Sequence, residues 1–164
     1  MPTVVTIGVY GFDQATFLAT LHDAGVTLLL DVRQRRGVRG PEYAWANSAR
    51  IQAALVDAAI AYRHHKELAP STELRHLQYA EDERQGVGKR SRVELAPSYV
   101  RRYTEEILDR FDLGALVRSL PRDGASALMC VDREPAACHR SLVAARLARR
   151  HRVAVSPLLP RRTP

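Results

Sequence analysis

Runs of β-branched or continuously apolar residues alternate along this chain with stretches whose apolar side chains recur every three or four positions, a pattern that predicts strands alternating with helices. Thr3 to Gly8 (TVVTIG) is a β-branched run stopped by glycine, and Asp13 stands where it can cap a helix presenting Phe17, Leu18 and Leu21. Gly25 closes that helix. Val26 to Val32 (VTLLLDV) is then almost continuously apolar, as expected of a strand buried on both faces. Asn47 or Ser48 is expected to cap the next helix, with Ile51, Leu55, Val56 and Ala59 on its inner face, leading into an extended stretch from Ile60 to His64. A helix from Ser98 carries Tyr99, Tyr103, Ile107 and Leu108, and another from Leu113 to Leu120 is stopped by Pro121. Ser126 to Val131 (SALMCV) reads as a further buried strand. The last helix opens near Cys138 and runs through Leu142, Val143, Ala145, Leu147 and Ala148 to a final strand at Val153 to Val155.

This order predicts an α/β fold: a single three-layer domain over residues 1–164, with a mainly parallel sheet and helices on both faces. Residues 66–97 form a polar, helical or loop-rich insertion, in which GVGKRSR at 86–92 reads as an exposed connection, and 157–164 a short basic tail. Ligands of such folds sit at the carboxyl ends of the strands. Gly8, Asp31 with Arg33, His64, and Cys130 with Asp132 fall there.

Composition narrows the class. With 46% hydrophobic and 26% charged residues the chain is ordinary globular material, and two cysteines make no disulfide framework. The N-terminal MPTVVTIGVYGFD has neither a basic leader nor a long apolar stretch, so a prokaryotic cytoplasmic protein with no membrane partner is expected. Its net charge of +7 is carried almost wholly by arginine, since Lys66 and Lys89 are the only lysines. Basic clusters at Arg33, Arg35, Arg36 and Arg39, at Lys89, Arg90 and Arg92, and at Arg146 to Arg152 are spread along the chain, with Arg161 and Arg162 in the tail. They serve either as solvated surface or as a nucleic-acid or nucleotide surface. The loop 33–46 (RQRRGVRGPEYAWA) is long enough to suggest function.

Candidate chemistry concentrates between Cys130 and Arg140. A cysteine at a helix N-terminus has its thiolate favoured, so Cys138 is the candidate nucleophile. His139 is a proton-transfer group and Arg140 a planar anion clamp. Cys130 within ALMCV reads as core or as chemistry. Asp31 reads either as a general base or as a structural partner of Arg33 or Arg140, and His64 as structural or rim-facing. Gly8 and Gly11 lack the spacing of a phosphate loop. Cys130, Cys138, His139 and His64 could be drawn as metal ligands, but the seven residues between the cysteines match no standard zinc spacing, and no metal or other cofactor is expected. The strand end, cysteine loop and helix start are similar to rhodanese and cysteine-phosphatase sites, although no Cys-x5-Arg segment is present.

Taken together, TIG at 6–8, LLDVR at 29–33, AYRHHKELAP at 61–70 and LMCVDREPAACHRSLVA at 128–144 resemble the DUF488 family over nearly the whole chain, and RRGVRGPEYAWAN at 35–47 resembles one subgroup of it. The chain differs from many members in having Val9 and Tyr10 after the TIG, Asp132 in place of Glu, and Leu68-Ala69 in place of Leu-Gly. The resemblance implies little about mechanism, because members are described mainly as proteins of unknown function, some as DNA-repair proteins. Two functional expectations lead, with a purely structural partner-binding domain as a third. One is an enzyme or binding protein for a small phosphate- or nucleotide-like anion, with Cys138, His139 and Asp31 as catalytic groups and Arg33, Arg140, Cys130, Asp132, His64 and Gly8 around the ligand. The other is a non-catalytic nucleic-acid-binding module using Arg35, Arg36 and Arg39.

Overall fold

In the computed structural model, which describes residues 2–161, five strands form one all-parallel sheet. The strands are β1 (Thr3–Ile7), β2 (Val26–Asp31), β3 (Ala61–His64), β4 (Ala125–Met129) and β5 (Ala154–Leu158), in the order β3-β2-β4-β1-β5. Their connections carry α1 (Gln14–Asp23), α2 (Ser48–Asp57), then α3 (Thr72–Gln85), α4 (Pro97–Glu106) and α5 (Leu113–Ser119), and finally α6 (Arg140–His151). The connections after β1 and β2 run toward the β3 edge and those after β3 and β4 toward the β5 edge. Parallel crossovers are right-handed, so α1 and α2 cover one face and the later helices the other. Every residue of β4 is buried, as a central strand covered on both sides requires.

Local chemistry explains most boundaries. Asp13 caps α1 reciprocally with Thr16: its carboxylate accepts from the Thr16 backbone N–H at 2.8 Å, and Thr16 Oγ1 accepts from Asp13 N–H at 3.1 Å. In α2 the expected inner face holds at Ile51 and Leu55, but Val56 is 75% exposed, because it lies about 100° around the helix from Leu55. Ala59 falls beyond the helix, at φ 58°. Asn47 stands at the cap position without capping, because its Oδ1 accepts from Val38 N–H at 2.8 Å and so pins the basic loop. Within that loop Pro41–Ala46 forms a 3-10 helix that packs Trp45 on Phe17.

The polar insertion is α3 and the loop to α4, and it differs from an exposed connection at Arg92, which is 7% exposed. Arg92 Nε and Nη2 donate to the Asp82 carboxylate at 2.6–3.0 Å, and its Nη1 donates to Ala137 O at 3.3 Å. A buried ion pair therefore holds this loop to α3 on one side and to the cysteine segment on the other. The expected basic tail begins inside β5, which includes Pro157 and Leu158; Arg162, Thr163 and Pro164 lie outside the described residues.

A candidate thiol-imidazole site beneath a cationic wall

β4 lies between β1 and β2, and its connection leaves toward the opposite face from theirs, so its carboxyl end is a switch point of the sheet. Backbone bonds lock the three strand ends together: Cys130 N–H donates to Ile7 O, Val32 N–H to Met129 O, and Val9 and Tyr10 N–H both to Val131 O. Gly8 is needed for this closeness. A Cβ there would lie 1.9 Å from Asp132 O, so the glycine admits the neighbouring backbone and faces no ligand.

Beyond Asp132 a 3-10 turn at Pro135–Ala137 reverses the chain and returns Cys138 to Cys130. Cys138 is extended, His139 occupies the cap position, and α6 starts only at Arg140; the helix thus begins two residues after Cys138 rather than at it. Cys138 Sγ lies 3.6 Å and Cys130 Sγ 3.9 Å from the same atom, His139 Nδ1. The other ring nitrogen, Nε2, is 2.8 Å from Val32 O. A carbonyl only accepts, so Nε2 carries a proton and Nδ1 is turned to the two sulfurs.

Electrostatics separate the two thiols. Burial opposes a charge on Cys138, but the hydrogen bond from Cys130 and the charges of His139 and Arg140 outweigh it and hold its pKa well below the usual thiol value. Donating that hydrogen bond, together with burial, drives Cys130 well above it. Burial, the largest single influence on His139, lowers it, but the Cys138 charge, the hydrogen bonds to Cys138 and Val32 and the Asp132 charge together outweigh burial, for a net rise. Arg140, fully buried, donates to Asp132 O at 2.7 Å and Arg133 O at 3.3 Å, and its Nε has no partner among the described residues. No carboxylate salt-bridges it among the described residues, so the thiolate helps offset a guanidinium that burial would otherwise leave unbalanced. Burial, aided by the Cys138 charge, pushes Asp132 up to about 7, and its Oδ1 makes no hydrogen bond.

Above this floor opens a cleft of about 1200 Å³. Seven cationic side chains line it. Three of them carry their own acid: Arg33 pairs with Asp31, Arg90 with Glu42 and Arg92 with Asp82. Arg35, Arg39, Arg75 and Lys89 have no salt-bridge partner among the described residues, and the one acid in the lining is Asp132. Arg75 is oriented by neutral groups only, donating to Gln34 Oε1 at 2.8 Å and to Tyr79 OH at 3.1 Å. Arg90 lies over the rings of Tyr10 and Tyr43, with its Cζ 5.3 and 5.1 Å from their centroids, and so ties the 86–92 loop to those two residues.

The residues expected from sequence thus divide. Cys130, Cys138, His139, Asp132, Arg33, Arg35 and Arg39 line the cleft, whereas Asp31, His64, Arg36, Gly8 and Arg140 do not. Asp31 is fully buried and accepts from Arg33 N, Nε and Nη2 and from Tyr62 OH, which leaves it no capacity as a general base and fixes its partner as Arg33, not Arg140. Arg33 in turn donates its Nη1 to Ala46 O, and Arg140 is spent on carbonyls, so neither forms the expected anion clamp. His64 Nε2 is bound to Arg33 O at 2.8 Å, and Arg36 to Tyr62 OH at 3.4 Å. Sequence reasoning missed Arg75 and Tyr79. The available signal was α3 itself, a helix so poor in apolar residues that Gln78 and Asp82 are among its three buried ones.

No described helix is long and apolar enough to cross a membrane. No curated protein and no solved structure matches this chain. The model of one family, described as domain of unknown function DUF488, matches residues 13–147, which include all of the thiol-imidazole floor and the cationic wall; the chain belongs to the DUF488 family.

Proposed function

We propose that this chain binds a small phosphate-like or nucleotide-like anion in the cleft and acts on it through Cys138. The observation that carries this reading is the charge balance of the lining, four cations without a salt-bridge partner among the described residues facing one acid above a floor of two thiols and an imidazole. Arg75 and Lys89 are partly buried, and cations so placed attract an anion more strongly than the same groups in water, while exposed Arg35 and Arg39 add to the positive field. In the chemical step Cys138 sulfur bonds to an electrophilic atom of the bound anion as that atom's bond to its leaving group breaks, His139 passes the thiol proton to the leaving group, and water then cleaves the new sulfur bond to restore the thiol. Asp132, buried and neutral over much of the acidic range, is a second proton donor in the lining.

The alternative, nucleic-acid binding through the basic loop, shares part of this wall, because Arg35 and Arg39 line the cleft. A cleft whose thiols and imidazole lie buried beneath its lining favours a small anion or a strand terminus over a duplex backbone. Calorimetric titration with inorganic phosphate, nucleoside monophosphates and a short oligonucleotide tests both. The expected result is saturable binding of the small anions that weakens with salt and is lost in Arg75→Gln/Lys89→Gln. Binding of the oligonucleotide alone assigns the wall to nucleic acid, and no binding of any of them refutes the proposal.

A further inference from the structure

The three side chains at the floor of the cleft satisfy a demand that a thiol nucleophile does not make. A nucleophile needs one sulfur and one base. Here a second buried sulfur converges on the same nitrogen, and Cys130 Sγ, Cys138 Sγ and the His139 ring nitrogen all lie within 4.8 Å of one another. In a tetrahedral zinc site with Zn–S of about 2.3 Å and Zn–N of about 2.0–2.1 Å, the sulfur-to-nitrogen edge is about 3.6 Å. The two edges measured here are 3.6 and 3.9 Å.

The ring is also set as a ligand is set. A metal-binding imidazole usually donates its remote N–H to a carbonyl or carboxylate, which fixes tautomer and orientation. His139 Nε2 is held by Val32 O at 2.8 Å, at the end of the neighbouring strand β2, and Nδ1 faces the sulfurs. Both cysteines are free thiols. Two thiolates and a divalent cation sum to zero charge, which suits a site in which Cys130, Cys138 and His139 are 7%, 1% and 4% exposed.

We infer that Cys130, Cys138 and His139 form a three-ligand site for a thiophilic divalent cation, zinc foremost, whose fourth coordination position opens into the cationic cleft. Two sulfurs and one nitrogen select zinc over magnesium or calcium, which take oxygen ligands. Three protein ligands with a position left for water or substrate is the arrangement of a catalytic rather than a structural zinc. This inference goes beyond the function proposed above and does not depend on it. The metal-free thiolate and the metal-bound thiolate are two states of one floor, and the anion wall of Arg35, Arg39, Arg75 and Lys89 serves either. With the ion bound, an anion oxygen is drawn to the cation, and the bound cation replaces the free sulfur as the electrostatic centre.

The spacing along the chain argues against this site, although the same three residues can be drawn as ligands from sequence. Seven residues separate the cysteines, and the 3-10 turn at Pro135–Ala137 closes the gap, so the ligands converge without the short Cys-x2-Cys loop of common zinc modules.

The test uses the whole chain, stripped with chelator under reducing conditions and titrated with Co²⁺. The expected result is one Co²⁺ per chain, with a near-ultraviolet thiolate-to-cobalt charge-transfer band and the intense visible bands of a tetrahedral ion, displaced by Zn²⁺. Zn²⁺ should also protect both thiols of the wild type from a thiol-specific reagent, a readout that needs no variant to fold. Cys138→Ser, Cys130→Ser and His139→Gln should each weaken binding by more than the roughly 10–100-fold typical of losing an outer-shell partner. A folded, reduced wild type with no charge-transfer band, or Co²⁺ binding unchanged in a folded Cys130→Ser/Cys138→Ser double variant, overturns the inference. Titrating phosphate into the metal-free protein reads the anion wall separately, so either proposal can fail while the other stands.

Discussion

Replacing Asp31 by Asn tests whether the carboxylate that ends β2 is scaffold. Its two oxygens accept four hydrogen bonds: Arg33 N–H at 3.1 Å, Arg33 Nε at 2.9 Å, Arg33 Nη2 at 2.9 Å and Tyr62 OH at 2.6 Å. Asn keeps one acceptor, turns the other into a donor aimed at donors, and strands a guanidinium whose side chain is 1% exposed. Breaking a buried pair on one side costs about 3–5 kcal/mol. For a domain of this size about 1 kcal/mol corresponds to about 2–4 °C, so the melting temperature should fall by about 6–20 °C. The double variant Asp31→Asn/Arg33→Met removes both charges and should be less destabilised than Asp31→Asn alone, giving a clear coupling energy in a double-mutant cycle. The loss should also reach the thiol site, because Val32 O, one residue on, is what holds His139 Nε2. The assay is thermal and urea unfolding of the four proteins of the cycle, with phosphate binding measured on each. A single variant that loses less than about 1 kcal/mol, or two effects that simply add, would refute the buried-pair account.

Iodoacetamide should label Cys138 of the metal-free protein faster than Cys130, and keep doing so as the pH falls below the usual thiol range, since the environment lowers one thiol and raises the other; equal rates by mass spectrometry would remove that distinction. Gly8→Ala should destabilise the fold by at least about 1–3 kcal/mol in urea unfolding, because its methyl group would meet Asp132 O, which is itself held by Arg140; a neutral variant would show that the strand ends yield more than their hydrogen bonds suggest. Arg92→Gln should strand buried Asp82 and release the 86–96 segment, seen as faster amide exchange there than in β4; unchanged exchange would mean that the strap of Arg90 over Tyr10 and Tyr43 holds the loop by itself.

Much of the framework follows from neighbours along the chain. VTLLLDV has the length and branching of a strand covered on both faces, Asp13 caps the first helix with a residue three positions away, and strands alternating with helices leave a parallel sheet as the economical way to bury them. The same reasoning brought Cys130, Cys138 and His139 to one rim, because strand ends and helix starts meet there. What local pattern cannot carry is the destination of a long side chain. Arg33 and Arg140 stand where an anion clamp belongs, yet one guanidinium turns back to Asp31 and the other to two carbonyls, choices set by groups up to thirteen residues away in sequence and adjacent only after folding. Arg75 and Lys89 lie in a polar insertion that looked peripheral, and only the docking of α3 and its loop through Arg92 turns them into a wall of the cleft. The metal geometry was hidden for the same reason: a spacing of seven residues says nothing of a turn that brings two sulfurs within 4 Å of one nitrogen, whereas the strand order that lays Val32 beside Met129 and aims His139 at both is a property of the assembled sheet.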